Sequence, residues 1–170
     1  VKFNDDVNGY NGFEIGLSSD ALPKYVNIKD CDFRGTLTNN AILIFGTQDN
    51  AVINIENCHF GRISNALRIS NKTNATNVTI NVKNCSVDQW DTREEWEGFM
   101  ICEDYTSGTV ALEQSNNLFA SSKITVNFTN LTHNEEKITA DYKGQICYVW
   151  YDKGNKKETD TNRIPTVNFL

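Results

Sequence analysis

With 170 residues, 39% of them hydrophobic and 11% aromatic, the chain can bury one core and is too apolar to be disordered. A net charge of −6 and a pI near 4.9 argue against nucleic acid as a partner. No apolar run approaches the roughly 18 residues that cross a bilayer. Val1 opens the chain without a signal-like segment, so a processed or trimmed product is expected.

Residues 1–11 are polar and turn-like, and Gly12–Leu17 alternates as a strand with Phe13, Ile15 and Leu17 inward. After a turn containing Pro23 comes a phrase that recurs. It reads Val26-Asn27-Ile28-Lys29-Asp30-Cys31-Asp32-Phe33, then Ile53-Asn54-Ile55-Glu56-Asn57-Cys58-His59-Phe60, then Ile80-Asn81-Val82-Lys83-Asn84-Cys85-Ser86-Val87. Cys31, Cys58 and Cys85 are 27 residues apart. Looser copies are Val126–Leu131 and Val167–Phe169. A period in the twenties with alternating apolar residues predicts a solenoid.

Within each copy, Val26 and Ile28 point one way, and Asn27 and Lys29 the other. The short polar residue at Asp30, Asn57, Asn84 and Asn130 interrupts the alternation, as a left-handed residue would when it bends a strand. A second apolar piece follows in each unit: Ile42–Phe45, Leu67–Ile69, Phe99–Ile101 and Ile146–Tyr148. The outward column Asn27, Asn54, Asn81, Asn127, Asn168 is expected to hydrogen-bond along the stack. The three phrase cysteines are expected to form a buried column of small side chains. Five cysteines leave at least one thiol without a partner in the chain. No Cys/His spacing suggests zinc.

The phrase V-x-I-x-N-C-x-F followed by a short apolar strand resembles the right-handed parallel β-helix repeat of the pectate lyase-like superfamily, over residues 12–170. The resemblance implies an all-β, single-stranded right-handed parallel β-helix of about five turns. It places Val26–Lys29 on the second sheet, Cys31–Phe33 on the third and Ile42–Phe45 on the first. The superfamily includes polysaccharide lyases, glycoside hydrolases, phage tailspikes and non-catalytic surface proteins, so fold alone does not assign chemistry. The leucine-rich frame of the rival solenoid is absent. One domain spanning 1–170 is expected, as a fragment or lacking one cap, because Leu170 falls inside a strand phrase.

The pitch then lengthens to 46 residues from Asn81 to Asn127 and 41 from Asn127 to Asn168. The excess falls in four segments, 88–98, 103–122, 133–144 and 151–163, expected to border the outer face of one sheet. Insertions on one face of a solenoid commonly build its binding site. Trp90, Trp96, Tyr105, Trp150, Tyr151 and Asp152 are the candidate carbohydrate-binding residues: a ring face stacks on a pyranose while carboxylates accept from its hydroxyls. Equally, Trp90 and Trp96 could pack a loop or a short helix against the body of the fold.

Glycoside hydrolysis needs two carboxylates flanking one bond, and Glu94, Glu95, Glu103 and Asp104 are candidates. A β-elimination lyase needs a base such as Arg68, expected outward beside Glu14, Leu43, Met100 and Cys147. No metal is assigned and no cofactor is implied; calcium has no motif to hold it. His59 reads as a surface residue and His133 as the start of a loop. The function expected is an extracytoplasmic carbohydrate-interacting protein, secreted or on the cell surface, that binds a polysaccharide or glycan. Cleavage stays open. The alternative is a structural or adhesin-like module, such as a phage-fibre segment, that self-associates through its ends or loops.

Overall fold

The computed structural model describes residues 2–3, 11–16, 22–33, 37–70, 75–90, 98–104, 123–142, 146–151, 156–157 and 164–170. Among these the regular structure is entirely β. In chain order the strands are β1 (Lys2–Phe3), β2 (Asn11–Ile15), β3 (Tyr25–Lys29), β4 (Asp32–Phe33) and β5 (Leu37–Ile44). Next come β6 (Val52–Glu56), β7 (His59–Ser70), β8 (Val78–Trp90), β9 (Gly98–Asp104) and β10 (Ile124–His133). The last are β11 (Glu136–Lys137), β12 (Cys147–Tyr151), β13 (Lys156–Lys157) and β14 (Thr166–Phe169).

They pair in three parallel ladders. The first joins β2, β5, the second half of β7, β9 and β12. The second joins β3, β6, the start of β8, the start of β10 and β14. The third joins β1, β4, the start of β7, the end of β8 and the end of β10. The chain visits second, third and first ladder in that order on each pass, and the repeated phrases come into register residue on residue. Two pairings are antiparallel. β11 folds back on the end of β10, and β13 on β12. Both short strands contain lysine, a residue that discourages pairing of an exposed edge with another chain.

The phrase explains the register. Its apolar positions are buried and its alternate positions face outward in β3, β6, β8 and β10. At Asp30, Asn57, Asn84 and Asn130 the backbone is left-handed, with φ of 54°, 53°, 52° and 55°, which Asn and Asp tolerate better than other non-glycine residues. Their side chains also bond in series, Asn57 to Asp30 at 3.0 Å, Asn84 to Asn57 at 3.4 Å and Asn130 to Asn84 at 3.1 Å. The outward column behaves as its spacing predicts. Each Nδ2 donates to the Oδ1 one pass earlier, Asn54 to Asn27 at 2.8 Å, and Asn81 to Asn54, Asn127 to Asn81 and Asn168 to Asn127 at 2.9 Å.

Inside, Val, Ile and Leu side chains surround a chain of aromatic rings. Phe33 stacks on Phe60 with centroids 5.0 Å apart, and Phe99 meets Phe60 edge-on at 5.8 Å and Phe128 edge-on at 5.3 Å. Phe13 and Phe169 extend the series at either end. Cys31, Cys58 and Cys85 are all buried, as the repeat implies.

Candidate functional site

The end of β8 corrects the expected start of an insertion at Asp88. The strand continues to Trp90, with Arg62 paired to Gln89 and Ile63 to Trp90. The alternation that buries Val87 is extended by one further exposed residue, so that Trp90 turns inward. Its side chain is only 7% exposed. The indole stacks on His133 at 4.9 Å and 21°, and its Nε1 donates to the Tyr142 hydroxyl at 3.1 Å. Burial lowers the His133 pKa, against the opposing charge of Glu136. Trp90 thus pins the β10–β11 hairpin and the following turn to the third ladder, and no free ring face remains there for a sugar.

Other selected residues do converge. Glu103 and Asp104 end β9, and Trp150 and Tyr151 end β12. These strands are adjacent and parallel, pairing Glu103 with Trp150 and Asp104 with Tyr151, while Ser70 at the end of β7 pairs with Glu103. On the far side of β12, β13 pairs Lys157 with Trp150 and Lys156 with Tyr151. One end of the first ladder therefore gathers two acidic, two aromatic and two basic residues within three neighbouring strands. The sequence reading missed Lys156 and Lys157. The available signal was Gly154-Asn155, a turn dipeptide between two short strand segments. Glu94, Glu95, Trp96, Tyr105 and Asp152 lie outside the described residues.

Arg68 is half-buried on the same ladder, between Leu43 and Ile101 in register. Its neighbours on the later passes are therefore Ile101 and Tyr148, not Met100 and Cys147. Leu67 pairs with Met100, and Met100 pairs with Cys147. Met100 is fully buried in the core, since a one-residue slip moves a side chain to the opposite face. Tyr148 is also buried, and its hydroxyl exchanges hydrogen bonds with the Asn65 amide at 3.0 and 3.2 Å. Asn65 donates in turn to the Gly98 carbonyl at 3.1 Å. This network ties β7, β9 and β12 together a few residues before the acidic end of β9 and the aromatic end of β12.

On the third ladder His59 is more than a surface residue. Its Nδ1 lies 2.9 Å from Asp32 Oδ1 and its Nε2 lies 2.9 Å from Asp88 Oδ1. A neutral imidazole can donate to only one of two carboxylates. Burial opposes the charged ring, but the hydrogen bonds and charges of Asp32 and Asp88 outweigh it and raise the His59 pKa. The ring bridges carboxylates from the passes on either side of it, and neither nitrogen is free to act as a catalytic base.

Among the described residues no three His, Cys, Asp or Glu side chains converge as a metal site, and no helix is long and apolar enough to cross a membrane. No family model, curated protein or solved structure matches this chain.

Proposed function

We propose that the three ladders form a right-handed parallel β-helix and that the chain is an extracytoplasmic, carbohydrate-interacting protein, secreted or displayed at the cell surface. Its glycan contact is the end of the first ladder, at the register pair Glu103 and Trp150, which strand alternation sets on the same face as Arg68, with Asp104 and Tyr151 following on the alternate face. The observation supporting this is the register that sets Glu103 against Trp150 and Asp104 against Tyr151. Aromatic rings supply apolar stacking area for a sugar ring, and carboxylates supply directional acceptors for its hydroxyls. Lys156 and Lys157 add donors for hydroxyl or acidic groups on the same stretch of β-sheet. Cleavage would require two carboxylates flanking one glycosidic bond; Glu103 and Asp104 are consecutive in one strand, on alternate faces, so each is tested by itself.

The test is a glycan-array and soluble-polysaccharide binding screen of the wild type and of Trp150→Ala/Tyr151→Ala, with calcium and with chelator. Binding by the wild type that the folded double variant loses supports the site. A folded wild type that binds no glycan and self-associates overturns it in favour of an adhesive or structural module.

A further inference from the structure

The phrase places a cysteine at one position of the third ladder in three successive passes. Cys58 and Cys85 directly precede the register pair His59–Ser86, and Cys31 precedes Asp32, which pairs with His59. The next residue in this column is Leu131, paired with Cys85. A branched aliphatic side chain therefore fits the position, and volume alone does not require a thiol. Each sulfur lies near backbone oxygen: Cys58 Sγ is 3.3 Å from the Glu56 carbonyl, and Cys85 Sγ is 3.4 Å from the Lys83 carbonyl.

We infer that neighbouring thiols of the Cys31, Cys58 and Cys85 column, with Cys58 common to both pairs, form a two-coordinate site for a soft monovalent d10 cation, of the Cu(I) or Ag(I) class, held between two passes of the third ladder. Side chains at one register position of adjacent parallel strands repeat at the strand spacing, about 4.8 Å. A linear sulfur–metal–sulfur unit with bonds of about 2.3 Å spans about 4.6 Å. Thiolates are the ligands that select soft cations, and two ligands suffice for linear coordination, so convergence of three donors is not needed. Loss of one thiol proton to solvent leaves an ion, a thiolate and a thiol with no net charge, which limits the cost of burying the ion. Each sulfur also faces the preceding pass: Cys58 Sγ donates to the Ile28 carbonyl at 3.7 Å and Cys85 Sγ to the Ile55 carbonyl at 3.5 Å. Asn57 and Asn84, both exposed, flank them, so the surface is one residue away.

The remaining thiols supply an internal control. Cys102 pairs with Val149, and Cys147 with Met100, so these two are offset by two residues. Their separation is then about 8 Å, too far for a linear bridge.

The experiment mixes reduced full chain with one equivalent of silver nitrate in chloride-free buffer and challenges it with excess glutathione. Native mass spectrometry then counts the retained ions. One silver ion should stay on the wild type, on Cys31→Ser, on Cys85→Ala and on Cys102→Ser/Cys147→Ser. Cys58→Ala, which leaves Cys31 and Cys85 two passes apart, should retain it at least about tenfold less once circular dichroism shows it folded. If a serine control fails to fold, the corresponding alanine variant replaces it. Equal retention by folded Cys58→Ala, or release of all silver from folded wild type, overturns the proposal. A Cys58–Cys85 disulfide in protein purified without reductant overturns it too, because the covalent bond would then be the column's chemistry.

Discussion

Replacing His59 by glutamine should destabilise the protein at mildly acidic pH and hardly at all at alkaline pH. The ring touches Asp32 and Asp88, each at 2.9 Å, with side-chain exposures of 36% for His59, 18% for Asp32 and 62% for Asp88. Solvent screening places each contact in the range measured for exposed pairs, about 0.2–1 kcal/mol. The two together are worth about 1 kcal/mol, which for a chain of this size moves the thermal midpoint by about 2–4 °C. The sign follows from the direction of the shift. The folded-state pKa lies above the ordinary histidine value, so the contribution is complete below about pH 6.5 and is lost as pH rises through the folded pKa. Urea denaturation of wild type and His59→Gln at about pH 5.5 and about pH 9 measures the difference. A loss that is equal at both values, or larger at the alkaline one, would refute the bridge as the source of the stability.

Two further substitutions probe the repeat and its anchor. Asn57 has φ of 53° and bonds in series with Asp30 and Asn84; Asn57→Ala should cost about 1–2 kcal/mol, and Asn57→Gly clearly less, by urea denaturation. Equal costs would show that the left-handed backbone is not what the position selects. Trp90→Ala should cost about 3–5 kcal/mol, whereas Tyr142→Phe, which removes only the hydroxyl that accepts from the indole, should cost about 1 kcal/mol. A Trp90→Ala variant as stable as wild type by thermal melting would contradict the burial of that ring.

The second and third ladders were legible in the sequence because each pass repeats the same residue types in register. A column of Asn27, Asn54 and Asn81 leaves little choice of pairing, and the left-handed residue three positions on marks where the strand bends. The first ladder was harder to align. Gly98–Asp104 and Cys147–Tyr151 share no phrase with Ile42–Phe45, and their alternation permits neighbouring registers that differ by one residue. That slip is why Met100 and Cys147 were expected beside Arg68, where Ile101 and Tyr148 stand. Of the two roles open to Trp90, sugar stacking and packing, its burial against His133 fits packing. Asp88, Gln89 and Asp91 suggest a solvated loop, but a buried aromatic can end a strand amid polar neighbours when a partner such as His133 lies one pass away. The His59 bridge needed three residues from three passes. Asp32 is one pitch of 27 residues earlier, a signal the sequence contained, but Asp88 is two residues off the next repeat position and only the extended β8 brings it to the ring.

The repeat register persists through the longer third and fourth passes, and this is what brings together the acidic end of β9 and the aromatic end of β12. Disulfide trapping measures it directly. In a Cys102→Ser/Cys147→Ser background, Glu103→Cys/Trp150→Cys and Asp104→Cys/Tyr151→Cys join register partners about 4.8 Å apart at Cα, within disulfide reach. Asp104→Cys/Val149→Cys joins residues two positions out of register, about 8 Å apart and beyond it. Under the same mild oxidation the first two variants should cross-link in the folded state and the third should not. Cross-linking of the offset pair in preference to the matched pairs would contradict the register and, with it, the proposed glycan site.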